Sequence, residues 1–63
     1  MIELTYGDKV IVVNPNNIST IIAYDGKSKV NMNDGSSVFV NEDILDIMQK
    51  IVNSRFGIAE EVQ

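Results

Sequence analysis

At 63 residues the chain has room for one domain, and a domain this small buries only about 60% of the surface its unfolded form exposes. It contains neither Cys nor His, which removes disulfides and the commonest zinc and transition-metal ligands from the devices that brace small scaffolds. Nine acidic residues against five basic ones leave a net charge of −4; such a chain repels a phosphate backbone, and its Lys and Arg are too scattered to offset this, so nucleic acid is not an expected partner.

Turn chemistry divides the first two-thirds of the chain. Ile2–Tyr6 and Lys9–Val13 read as strands joined by Gly7-Asp8, which suits a two-residue type II′ hairpin. Asn14-Pro15-Asn16-Asn17 is a longer turn, because Pro fixes φ and Asn tolerates left-handed geometry. Ile18–Tyr24, Ser28–Met32 and Ser36–Val40 follow as three more strands, separated by Asp25-Gly26 and Asn33-Asp34-Gly35. Connections this short force antiparallel neighbours, so the expected sheet is a five-stranded meander. Asn41 is the expected helix cap. Glu42, Asp43 and Asp46 then favour the positive end of the helix dipole. Ile44, Ile47, Met48, Ile51 and Val52 recur at helical spacing, Leu45 widens the stripe and Gly57 is a plausible stop. The fold class is thus α+β, mainly β, with one domain over residues 1–57 and a tail over 58–63 that is expected to fray.

A sheet covered by one helix on one side should alternate strictly between apolar and polar residues. Ile2, Leu4 and Tyr6 against Glu3 and Thr5 do so. Val10-Ile11-Val12-Val13, Ile21-Ile22-Ala23 and Val38-Phe39-Val40 do not, since each is apolar on both sides. Leaving such side chains in water forgoes about 1.5–3 kcal/mol each relative to burial, and a contiguous exposed patch marks an interface. The candidate interface residues are Ile11, Val13, Ile21, Ala23 and Phe39. Tyr6 and Tyr24 are possible anchors, as Tyr is enriched at binding hot spots; the plainer reading is a sheet tyrosine with its hydroxyl in water. The competing arrangement is a sheet that curls into a small open barrel and hides both sides.

Catalytic chemistry finds no base that titrates near neutral pH and no thiol nucleophile. The adjacent carboxylates Glu42-Asp43 and Glu60-Glu61 point to different sides of a helix and share no substrate. Asp25-Gly26-Lys27 and Asn33-Asp34-Gly35-Ser36 lack the ligand series of a calcium loop and open no helix, so they read as turns. No cofactor, no metal and no enzymatic activity are expected. No apolar run approaches the ~20 residues of a membrane span, and Met1-Ile2-Glu3-Leu4 has no signal-peptide character. A cytoplasmic location is the simplest expectation.

Met1-Ile2, Leu4-Thr5, Asn14-Pro15 followed by Ile18, Asp34-Gly35, and Val38 and Val40 leading through Glu42 into an Ile-rich helix are arranged as in the FlbD family. Over residues 1 to 54 the chain resembles these small bacterial proteins tied to flagellar function and swarming, whose relatives also occur among phage reading frames. It departs from them in its short Gly7-Asp8 turn, in Asp25-Gly26-Lys27 and in Asn41-Glu42-Asp43. The resemblance implies a strand meander closed by a helix. Taken with the surplus of apolar side chains, it leaves three readings. The first is a homodimeric protein-binding regulator or adaptor, with itself and a bacterial protein as partners. The second is a phage-encoded inhibitor that blocks a host protein, and the third an acidic mimic of nucleic acid.

Overall fold

The computed structural model describes residues 1–55 of the chain; the expected stop at Gly57 and the tail over 58–63 lie outside the described residues. The fold class is as expected. Five antiparallel strands, β1 (Ile2–Tyr6), β2 (Lys9–Val13), β3 (Ile18–Tyr24), β4 (Lys27–Met32) and β5 (Ser37–Val40), precede one helix, α1 (Ile44–Arg55).

Each turn has the backbone its residues favour. At the β1–β2 hairpin Tyr6 pairs with Lys9, and Gly7 takes φ +62°, the left-handed value that a type II′ turn requires at its first central position. Asp25 (φ +59°) and Gly26 (φ +81°) are both left-handed, which makes the β3–β4 connection a type I′ turn. Between β4 and β5 the Gly35 N–H donates to the Met32 carbonyl at 3.1 Å and the Met32 N–H to the Ser36 carbonyl at 2.8 Å. That pattern is a three-residue hairpin loop with a glycine bulge.

The sheet is not one meander. β1 pairs only with β2, and β3, β4 and β5 form a second sheet in that order. The break falls at Asn14-Pro15-Asn16-Asn17, where Pro15–Asn17 forms a single 3-10 turn. The Asn14 side chain accepts from the Asn16 N–H at 3.0 Å, and its carbonyl accepts from the Asn17 N–H at 2.9 Å. A rigid turn of this kind carries β3 away from β2 instead of folding it back alongside.

The two sheets meet where β5 runs beside β1. The Asn41 N–H donates to the Thr5 carbonyl at 2.9 Å, and the Asn41 side-chain amide donates to the Gly7 carbonyl at 2.8 Å. Asn41 therefore joins the sheets and does not cap the helix. The cap is Asp43: its carboxylate accepts from the Asp46 N–H at 2.8 Å and its carbonyl accepts the first helical bond, from the Ile47 N–H at 3.1 Å.

The core lies between the inner sheet faces and the helix. Ile2, Leu4, Val13, Val30, Val40 and Ile47 are buried, and Ile11, Ile18, Ile21, Met32, Val38 and Ile51 pack around them. The helix rests on β1 and β3. It turns Ile47 and Ile51 inward, while Leu45, Met48 and Val52, expected on the same stripe, are exposed. No described helix is long and apolar enough to cross a membrane.

Candidate docking surface

Residues directly opposite one another in an antiparallel pair share a face. Ile11 lies opposite Leu4, Val13 opposite Ile2, and Ile21 opposite Val30. All three therefore point into the core, and Val13 is buried there. The sequence assigned them to an interface; the structure places them in the interior, because their partners are the core residues of the neighbouring strands. Their outward counterparts are Val10, Val12 and Ile22, all exposed. Ala23 shares the inner parity of its partner Ser28, but it lies near the end of the outermost strand and is exposed. Tyr6 has the parity of Ile2 and Leu4, yet it sits at the turn and is exposed as well. Phe39 and Tyr24 point outward and are exposed.

The register assembles Phe39 and Tyr24 into a surface. Across the outer face of β3–β4–β5, Ile22, Lys29 and Phe39 form one row, Tyr24 and Lys27 a second, and Thr20, Asn31 and Ser37 a third. The Tyr24 and Phe39 rings meet edge to face, with centroids 5.5 Å apart and planes at 63°, a geometry favoured by the ring quadrupoles. The Lys29 ammonium lies 5.8 Å from the Phe39 centroid, within cation–π range. Phe39 is 48% exposed, Ile22 49% and Tyr24 60%. These side chains thus form a ready-ordered apolar and aromatic patch in water. The charged residues in its rows are Lys27 and Lys29, so the face is positive in a chain that is negative overall. Lys29 carries no local signal of a site residue, because its neighbours in space, Ile22 and Phe39, are seven and ten residues away and only the register brings them together.

The outer face of β1–β2 is smaller and of opposite sign, with Val12 opposite Glu3 and Val10 opposite Thr5. Leu45, Met48 and Val52 make a third exposed apolar strip along the helix.

Several carboxylates are engaged by the chain itself. The Asp34 carboxylate accepts from the Ser36 hydroxyl at 2.6 Å and the Ser36 N–H at 2.9 Å, and these bonds hold it below the usual aspartate range. For Glu42, partial burial acts to raise the carboxyl. The hydrogen bonds from the Thr5 N–H and hydroxyl, helped by the charge of Lys50, outweigh that and hold it below the usual glutamate range. Asp43 caps the helix. These three carboxylates are thus oriented by the chain's own donors.

A shallow hollow of about 230 Å³ lies among Asn17, Met32, Asn33 and Asp34, smaller than the 300–1,000 Å³ of ordinary ligand pockets. Among the described residues no group of three or more acidic side chains could hold a metal ion. No family model matches the chain, and neither the curated proteins nor the solved structures contain a significant match to it.

Proposed function

We propose that this chain is a small non-catalytic protein-binding adaptor or regulator that works as a homodimer, with the outer face of β3–β4–β5 as its docking surface for another protein. The observation that carries the reading is the Tyr24–Phe39–Lys29 cluster with Ile22 beside it. Aromatic rings are the anchors of protein interfaces, and a lysine at their margin selects a partner by charge. The fitting partner presents an apolar surface bordered by carboxylates. Steering by the lysines makes association fall with salt, and the apolar contact sets how long the complex lasts.

The test compares capture from bacterial lysate by the immobilised wild-type chain with capture by Phe39→Asp and Lys29→Glu. A partner retained by the wild type, lost with Phe39→Asp and held by Lys29→Glu only weakly at low salt is the expected result. A partner retained equally by all three rules out this face.

A further inference from the structure

Among the described residues, the faces of the sheet are not its only unpartnered surface. β3 is the end strand of its sheet and pairs only with β4. Which of its backbone groups point outward follows from the ladder. The Asn31 carbonyl faces β3, where it accepts from the Ser19 hydroxyl at 3.1 Å, while the Met32 N–H faces β5, where it donates to Ser36. Alternation then turns Asn31, Lys29 and Lys27 toward β3, so that Thr20, Ile22 and Tyr24, their register partners, exchange the ladder bonds. Ile21 and Ala23 direct their N–H and C=O groups away from the sheet, along an edge that no strand among the described residues covers.

Proteins protect such an edge with a lysine, a proline, a bulge or a covering segment. Ile18–Tyr24 holds no charged residue and no proline, and its one irregularity lies between Ile18 and Thr20, which leaves Thr20–Tyr24 regular. The edge of β1 is treated differently: Asn41 and Glu42 occupy both backbone groups of Thr5.

We propose that β3 pairs along this edge with β3 of a second copy, antiparallel and two-fold symmetric about Ile22. The proposal rests on the homodimer reading above and names its seam. In this register Ile21 of each copy exchanges backbone bonds with Ala23 of the other. Ile22 then meets its own copy as a close non-hydrogen-bonded pair, and Tyr24 lies opposite Thr20. Each cross-strand pair is neutral and rich in β-branched or aromatic side chains, so a chain of net charge −4 meets its copy at a strand without like-charge repulsion. The other end strand, β2, fits itself less well, since the same symmetry about Ile11 sets Lys9 opposite the buried Val13. Face-to-face association of two β3–β4–β5 surfaces would bring together two faces that each carry Lys27 and Lys29 and no carboxylate in those rows. Edge pairing keeps those surfaces side by side and free, and joins two three-stranded sheets into one.

Sedimentation over a concentration series, on the wild type, Ala23→Pro and Phe39→Asp, tests the seam. Proline is accommodated where the N–H points off a sheet edge, so Ala23→Pro removes the outward donor and leaves the ladder to β4. We expect the wild type and Phe39→Asp to dimerise and Ala23→Pro to stay monomeric with unchanged circular dichroism. Amide exchange in the wild type supplies a readout that needs no variant: the Ile21 and Ala23 amides should be protected at high concentration and lose protection on dilution. A wild type that is monomeric throughout, a dimer that survives in folded Ala23→Pro, or exchange at Ile21 and Ala23 indifferent to dilution overturns the proposal. Lysate capture that still depends on Phe39 after any of those results leaves the docking face standing; loss of that dependence with the dimer intact removes the face and keeps the seam.

Discussion

Thr5 and Glu42 are held together by one carboxylate: its two oxygens accept from the Thr5 N–H at 3.0 Å each, and Oε2 also accepts from the Thr5 hydroxyl at 2.9 Å. The Thr5 N–H points off the edge of β1, where a neighbouring strand would otherwise supply a carbonyl. A side chain from 37 positions away replaces that strand. Removing it with Glu42→Ala should cost on the order of 1–2 kcal/mol, since hydrogen bonds to charged groups exceed neutral ones. Chemical denaturation at neutral pH measures the loss; a change below the error of extrapolation would show that water satisfies Thr5 equally well.

The same contact has a pH signature. Glu42 is held below its ordinary value in the folded chain, so its contribution is fully present above the usual glutamate range near ~4.3 and disappears as pH falls through the depressed folded value. The stability gap between wild type and Glu42→Gln should therefore be widest near neutrality and close on acidification. A gap that persists undiminished once the pH has fallen below the depressed folded value, or widens there, would contradict the assignment.

Asp43 and Asn41 separate under substitution because they do different work. Asp43→Ala removes the helix cap and should destabilise by about 1 kcal/mol, within the ~0.5–2 kcal/mol range of such caps, with a loss of helical signal. Asn41→Ala removes the bond to the Gly7 carbonyl and should leave the helical signal unchanged. Equal loss of helicity in both would restore Asn41 as the cap.

Ser28 is fully buried, its hydroxyl has no partner among the described residues, and it is in register with Val40 on one side and Ala23 on the other. An unsatisfied hydroxyl costs about 1–3 kcal/mol on protein mutational scales. Ser28→Ala should consequently be neutral or stabilising by up to that amount, the reverse of most core substitutions. A loss of stability on thermal unfolding would mean that the hydroxyl has a partner.

Ile21 and Ile22 are adjacent and chemically identical, yet they face opposite ways. Ile21→Asp places a charge beside the buried Val30 and should unfold the domain. Ile22→Asp lies on the outer face and should cost the isolated chain only about 1 kcal/mol, the span of strand propensities. Comparable unfolding by both would mean that the outer face is already covered.

That pair of residues also marks how far the sequence could be read. The five strands, their turns and the helix were legible, because Gly, Asn, Asp and Pro sit where the turns need them and each has a local cause. The orientation of Val10-Ile11-Val12-Val13 and Ile21-Ile22-Ala23 was not: alternation orients a strand only when one side is polar, and here both are apolar. Orientation came from the opposite strand, Leu4 facing Ile11 and Val30 facing Ile21, and pairing is not written in either strand alone. The split at Asn14–Asn17 and the role of Asn41 were hidden for the same reason, since both depend on where β1 lies relative to β5. Phe39 and Tyr24 are legible as single aromatics; that they touch each other, with Lys29 over the Phe39 ring, is a product of the register.

The three hairpins each close between neighbours in sequence, whereas Thr5 meets Asn41 and Glu42 only after the whole sheet region has been traversed. Chain-closure entropy disfavours that long loop early, so local hairpins assemble first and the junction forms late. The Thr5–Glu42 clasp then acts as a latch on the finished molecule. Disabling it should raise the unfolding rate and leave the refolding rate nearly unchanged, so that the lifetime of the native chain, more than its speed of formation, rests on one glutamate.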